Sequence, residues 1–288
     1  MIKLLLISLP LVLLPACSNI PENPNLSGKN ESLLKKFIRI SNIAPEQHER
    51  VTNFFVTANQ PAIIKHSITL KKHSSQSAYL GELLNNLKFG QGMMSWPAGS
   101  LYLGTWHNDK RNGQGTFITA NDISDGGNTY QGYWVNDQRQ GFGEITYLNG
   151  DAYQGEFEHD KKHGHGTFTW AVGEYQGDSY TGAFENDLRS GEGTYTWADG
   201  STHKGVWLKG EREGIASTTW ANGQTYQGNY EADKRTGYGI KTWPNGLSYK
   251  GMFKENLAHG EGIKSNANGA TCKGVWEFDV LVGECIPF

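Results

Sequence analysis

Two groups of residues in this 288-residue chain have the types and spacing that chemistry requires. His159, His163 and His165 crowd around a glycine turn, where close imidazoles could hold a divalent metal ion. No cysteine or fixed carboxylate joins them, so solvent-facing turn histidines are the plainer account and no metal is assigned. Asp109, Asp137, Asp160, Asp187, Asp233 and Asp279 recur at one position of a repeating pattern. Recurrence at a turn suits Asx turns, in which the carboxylate bonds its own backbone two residues on, rather than acid–base work. The chain has no phosphate-binding loop, nucleophile elbow or zinc-helix motif. It therefore offers no catalytic residue and implies no cofactor. The expectation is a protein that binds.

The elements that position these residues follow from self-similarity. Tyr102, Gly104 and Trp106 are followed by Gly113 and Gly115. The same frame returns as Tyr130, Gly132, Trp134, Gly141, Gly143, then from Tyr153, Tyr180, His203, Tyr226 and Tyr249. A weaker unit starts at Tyr79 and a truncated one at Cys272, and most starts lie 23 residues apart. In the His203 unit, Ala216 replaces the last glycine. Tyr-x-Gly-x-aromatic puts two rings and a glycine on one face of a strand, because strand side chains alternate. A polar stretch such as 107–111 turns the chain, and Gly-x-Gly opens a return strand with room for rings from neighbouring strands. Asn149-Gly150, Asp199-Gly200, Asn222-Gly223, Asn245-Gly246 and Asn268-Gly269 then supply positive φ for the next turn.

This frame resembles the MORN repeat over about 210 residues. The resemblance implies an all-β fold, an elongated single-layer solenoid of consecutive antiparallel hairpins occupying 79–288. Eight hairpins would give a ribbon on the order of 80 Å long at roughly 4.8 Å per strand. It also implies association with membranes, protein contacts and, in some members, phospholipid.

One further column stands out. Trp96, Tyr147, Trp170, Trp197, Trp220 and Trp243 share one place in six units, just before the turn, with the parity of the paired glycines. Two readings are open: a stacked aromatic spine joining neighbouring hairpins, or an exposed groove for peptide or glycan. Two units also exceed the regular spacing, through extra residues in 119–129 and 171–179. Both extensions fall in the turn between repeats, hence on one edge of the ribbon, as surface slack or as a ligand-binding lip.

Composition agrees with short strands and turns: 37 glycines, 13 tyrosines and 9 tryptophans stand against 4 methionines. Charge is divided along the chain. Residues 18–78 carry a balance of +4, and 79–288 a balance of −8. An acidic repeat region argues against nucleic acid as a partner, and the basic segment suits an anionic membrane surface.

The N-terminus carries its own signal. Lys3 precedes an apolar run, Leu4 to Leu14, too short to span a bilayer and of signal-peptide length. The following Leu14-Pro15-Ala16-Cys17 resembles a bacterial lipobox, with Pro15 departing from its usual small residue. The resemblance implies removal of 1–16, acylation of Cys17 and a lipid anchor. Ser18, rather than Asp, after the cysteine favours an outer-membrane destination. Residues 17–30 read as a flexible tether, and 31–78 as a small α/β cap on the first repeat. Leu33, Leu34, Phe37, Ile38 and Ile40 follow helical spacing, Pro45-Glu46 can open a second helix, and Ile63, Ile64, Ile68 and Leu70 suggest a strand. With Cys17 lipidated, Cys272 and Cys285 are left as an even pair, expected to form a disulfide if the hairpin register sets them opposite.

The sequence thus leads to a membrane-anchored scaffold for another cell-envelope protein. The alternative is direct binding of lipid headgroups or glycan through the aromatic column. Open ribbon ends would also allow a homodimer.

Overall fold

The computed structural model describes residues 28–41, 43–58, 68–73, 77–120 and 127–287. Within them, nineteen strands form one open antiparallel sheet in which each strand pairs with the next in sequence. Strand β1 (Ile68–Lys72) forms one end, against β2 (Ala78–Leu84). Then β3 (Leu87–Ser95), β4 (Leu101–His107) and β5 (Lys110–Ile118) set a pattern of alternating seven- and nine-residue strands that holds up to the last strand, Val280–Pro287, which has eight.

The tyrosine frame fixes the register. Tyr102 faces Phe117, Gly104 faces Gly115, and Trp106 faces Arg111, with a bulge at Thr105. The Tyr102 ring crosses the paired glycines, so a Cβ on Gly115 would coincide with the phenol. Its hydroxyl then donates to the bulge carbonyl of Thr105 at 3.1 Å. Tyr79, Tyr130, Tyr153, Tyr180, Tyr226 and Tyr249 make the same bond to the carbonyl three residues on. Each bulge therefore keeps a satisfied carbonyl, and each glycine pair is the floor beneath a ring.

The rings also join repeats. Tyr102 meets Trp106 of its own unit at 5.0 Å and Trp134 of the next at 5.7 Å, both edge to face. This alternation buries an aromatic stack from Tyr79 to Trp207 and another from Ala216 to Trp276. Such pairs add about 0.5–1.5 kcal/mol each beyond their buried area.

The two edges of the ribbon differ. At one, two-residue turns such as Asn108-Asp109 hold both residues at positive φ, 48° and 66°. The aspartates here do not form the expected Asx turns. Asp137 instead reaches back one repeat, accepting from the Arg111 backbone N–H at 2.9 Å and from its Nε at 3.1 Å. Asp109, Asp160, Asp187, Asp233 and Asp279 likewise accept a backbone N–H of the preceding repeat. A left-handed turn points the carboxylate sideways along the ribbon, away from its own backbone.

Helix α1 (Gly28–Ser41) begins inside the stretch read as tether. A single 3-10 turn, Pro45–Gln47, leads into α2 (His48–Ala58). Leu34, Phe37, Ile38, Val51 and Phe55 pack against Ala78, Leu80, Met93, Leu101, Leu103 and Ile118. Those strand residues have the parity opposite to the tyrosines. The helices therefore cover the far face of the first hairpins, while β1 supplies the end strand. Ile63 and Ile64 lie outside the described residues. No helix among the described residues is long and apolar enough to cross a membrane.

Candidate binding face

The aromatic column sits on the tyrosine face, along the edge opposite the aspartate turns. Each member opens a turn: the Trp197 N–H donates to the Ser201 carbonyl at 2.9 Å, and Gly200, at φ 87°, donates back to Trp197 at 2.9 Å. Trp96, Tyr147, Trp170, Trp220 and Trp243 close equivalent loops. All six rings are half-buried and packed against the aromatic stacks, and Lys241 lies 4.7 Å from the Trp243 ring. The packing is that of an aromatic spine, and the rings keep partial exposure.

Two units show that the column is dispensable for the hairpin. Thr119 and Asn266 occupy its position, and their turns close with the same backbone bonds, to Asn128 at 2.9 Å and to Ala270 at 3.0 Å. Their strands pair in the common register. The five central rings, from Tyr147 to Trp243, are consecutive.

The extension at 171–179 enlarges the middle of this shelf. It contains a 3-10 turn, Gly173–Tyr175, whose Tyr175 is exposed and lies 6.2 Å from Trp170. Trp170 also meets Phe168 at 4.6 Å and Tyr195 at 5.5 Å, and Tyr195 meets Trp197 at 4.8 Å. Asp178 is buried, accepting from the Tyr195 hydroxyl and from the Ala198 N–H at 2.9 Å. Burial and that carboxylate push the Tyr195 hydroxyl far above its ordinary range. The other extension falls on the same edge, where the Thr119 N–H donates to the Asn128 carbonyl and the Asn128 N–H donates to the Thr119 hydroxyl, both at 2.9 Å, and 121–126 lie outside the described residues. Tyr175 lies in the extended turn and has no counterpart in the shorter turns of the other units; its signal is simply an aromatic residue in a turn that needs none.

Along the inner side of the shelf runs a basic row. The Arg111 guanidinium lies 4.1 Å from the Trp134 ring, and that of Arg189 lies 4.2 Å from Trp207. The row is tied to the aspartate turns through Arg111–Asp137, Arg139–Asp160 and Arg212–Asp233. Burial lowers the affinity of Lys162 and Arg189 for their protons. These cations are held by rings and carbonyls, so they serve the packing first.

One unit breaks the frame. His203 is fully buried in place of tyrosine, with Ala216 filling the space a tyrosine would need. Its Nδ1 lies 2.9 Å from Thr218 Oγ1, which lies 2.7 Å from the Tyr230 hydroxyl. Burial, helped by the nearby Arg212 charge, brings the imidazole pKa down to about 4.

The far face is also informative. Beyond the helices one row of this face is polar to the end, with Gln131, Gln154, Thr181, Lys204, Gln227, Lys250 and Lys273 at positions equivalent to Leu80 and Leu103. A neighbouring row carries exposed apolar side chains in the middle, at Tyr133, Phe142 and Ile215, and again in the last hairpins. Tyr238 faces Met252, and Val275 faces Val282, and all four are exposed.

His163 lies 3.4 Å from Glu158, and no group of three His, Cys, Asp or Glu side chains placed to hold a metal ion occurs among the described residues. Cys17 lies outside the described residues. Cys272 and Cys285 are bonded, with Cα atoms 5.3 Å apart, inside the ordinary disulfide range. They are not directly opposite, since Cys272 faces Pro287. The bulge in this last hairpin makes the link diagonal, along the path a tyrosine takes over its glycine elsewhere.

No curated protein matches the chain. Among solved structures, the chain is similar to the SAS-4 (dCPAP) TCP domain of Drosophila melanogaster, solved with a proline-rich motif of Ana2 (dSTIL). Identity there is 12%, covering 57% of this chain and 84% of that one, with a TM-score of 0.36. It is also similar to the G-box domain of the microcephaly protein CPAP, at 10% identity, 73% and 100% coverage and a TM-score of 0.39. The family described as MORN repeat matches eight stretches: 79–101, 102–122, 130–152, 153–175, 180–202, 203–225, 226–248 and 249–271. The chain belongs to the MORN-repeat family.

Proposed function

We propose that the chain is a membrane-anchored, non-catalytic scaffold that docks another protein of the cell envelope. The observation that carries this reading is the set of exposed apolar side chains on the far face, Tyr133, Phe142 and Ile215 in its middle and Tyr238, Met252, Val275 and Val282 towards its end, with charged residues such as Glu261 between them. They lie on the face that the chain's own helices cover at the other end, and exposed apolar surface marks interaction sites. The lipobox-like Leu14-Pro15-Ala16-Cys17 supports a lipid anchor at Cys17, and Ser18 supports an outer-membrane address. Several acyl chains on one cysteine would hold the protein stably, where one chain would be marginal.

The test is crosslinking in cells followed by purification of the full lipoprotein. One protein captured by wild type and lost from a folded Tyr238→Ser/Val275→Ser variant supports docking on the far face. Loss from Trp197→Ala/Trp220→Ala instead moves the docking to the aromatic shelf, and capture of no protein refutes the reading. Cys17→Ala should leave the membrane fraction; its retention there would place the anchor elsewhere.

A second reading concerns the shelf itself, whose half-exposed rings suit lipid headgroups or glycan. The −8 balance of the repeat region opposes anionic headgroups at long range and leaves a neutral ligand unaffected.

A further inference from the structure

We propose that Arg189, beside Gly210, is a binding site for one carboxylate group from outside the chain. The site lies on the tyrosine face at the aspartate edge, so it is independent of docking on the far face.

The chain supplies its own template for the ligand. In three units an arginine on this edge holds a carboxylate of the next repeat by two donors, its backbone N–H and its Nε. The distances are 2.9 and 3.1 Å for Arg111–Asp137, 2.9 and 3.3 Å for Arg139–Asp160, and 3.1 and 2.8 Å for Arg212–Asp233. In each, the guanidinium Nη2 also donates to the backbone carbonyl of the same aspartate. Hydrogen bonds between ionised groups of this kind are stronger than neutral ones.

Arg189 keeps this pose without the carboxylate. Its Nη2 donates to the Gly210 carbonyl at 2.7 Å, and its own carbonyl accepts from the Gly210 N–H at 2.9 Å. The guanidinium lies 4.2 Å from the Trp207 ring, as that of Arg111 lies 4.1 Å from Trp134. Among the described turns of this edge, only this one has glycine at its second position, where the others carry Asp or Asn. A Cβ on Gly210 would meet nothing within 4 Å, so the path that the other side chains take starts in open space. Among the described residues no carboxylate pairs with Arg189, and no side chain accepts from its backbone N–H. The carboxylates on either side are committed, Asp187 to the Lys162 N–H at 2.9 Å and Asp233 to Arg212.

Charge at the site favours an anion. Burial weakens the hold of Arg189 on its proton, and the neighbouring Arg212 charge adds to this; a bound anion opposes both. Lys209, exposed at the first turn position, brings another positive charge to the edge. Glu185, Glu211 and Glu213 have the strand parity of the far face and point away from the guanidinium.

The experiment is a titration of the detergent-solubilised full chain with formate, a carboxylate too small to make other contacts, followed by NMR of backbone and arginine N–H groups. The Arg189 N–H and Nε–H signals should move saturably. Those of Arg139 should stay, because Asp160 already fills that place, and chloride at equal ionic strength should move neither. Gly210→Asp restores what most units carry, at a positive φ that their aspartates adopt at 66–74°. Its fold should persist, as checked by circular dichroism, and its tethered carboxylate should weaken formate binding by about tenfold or more. Formate should raise the urea midpoint of wild type, growing with the logarithm of concentration once the site fills, and leave that of Gly210→Asp unchanged. Aspartate blocked as its N-acetyl amide separates the sources of the ligand. Affinity about tenfold above that of formate supports an acidic side chain of a docked protein, and equal affinity supports a free small carboxylate. No saturable shift at Arg189, an equal response to chloride, tighter binding of inorganic phosphate, or undiminished formate binding by Gly210→Asp would overturn the site.

Discussion

The ring of Tyr153 lies across Gly166 on the facing strand, so closely that a single methyl there would occupy the same space. Its hydroxyl continues to the Glu156 carbonyl at 2.9 Å. Gly166→Ala should therefore displace the ring, at a cost of about 1–3 kcal/mol as for other overpacked sites. The chain itself contains the compensation, since His203 replaces tyrosine where Ala216 replaces glycine. Adding Tyr153→His to Gly166→Ala should recover part of the loss, and a double-mutant cycle of urea midpoints measures the coupling. Strict additivity would show that the two positions do not compete for space.

His203 should make the protein sensitive to acid. Its folded pKa of about 4 lies below the ordinary 6.5, so the neutral ring is the form the fold accommodates. The unfolded chain takes up the proton first. The contribution is complete above about pH 6.5 and falls away as pH drops towards 4, by up to about 3 kcal/mol. Comparing urea midpoints at pH 7 and pH 4.5, wild type should lose more stability than a His203→Tyr/Ala216→Gly variant, which restores the common frame. Equal losses would assign the acid sensitivity to carboxylates elsewhere.

Asp137 tests the link between repeats. Asp137→Ala removes the acceptor for both the Arg111 backbone N–H and its Nε, at a cost of about 1 kcal/mol for a partly exposed pair. Asp137→Asn should cost less, because Asn256 already receives the Arg235 N–H at 2.9 Å in another unit. Thermal midpoints at low and high salt separate the ionic share, which should shrink with salt, from the hydrogen-bond share, which should persist.

The terminal disulfide is checked by titrating thiols in denatured, unreduced protein, where neither Cys272 nor Cys285 should react. Reduction should destabilise the last hairpin by about 3 kcal/mol in the loop-entropy account. Hydrogen exchange should quicken at Thr271–Glu277 and Val280–Pro287, with little change near Tyr102. Uniform quickening along the ribbon would contradict a local staple.

Periodic features were legible in the sequence for a physical reason. Tyr102, Gly104 and Gly115 obey steric rules that act within one hairpin, so their spacing alone reports the fold. Asp137 was visible as a column yet misread, because its partner, Arg111, belongs to the previous repeat and turn propensity does not reveal that reach. Cys272 and Cys285 stood out as a pair, but the bulge that makes their link diagonal leaves no trace in residue spacing. Leu34 and Phe37 announced a helix without saying which face of the sheet it would cover. That choice depends on Leu80, Met93 and Leu103, whose apolar character matters only once strand parity is known. Tyr175 had no repeat partner to draw attention to it.

The substitution of His203 and Ala216 has a consequence for cooperativity. The imidazole keeps the alternation of rings unbroken there, 5.5 Å from Trp207 and 4.9 Å from Tyr230, both edge to face. Each hairpin rests only on its neighbours, so folding propagates along the ribbon as coupled nearest-neighbour steps. One coupler in the row is thus titratable, and acid loosens the ribbon at that hairpin, where the tyrosine units keep their grip.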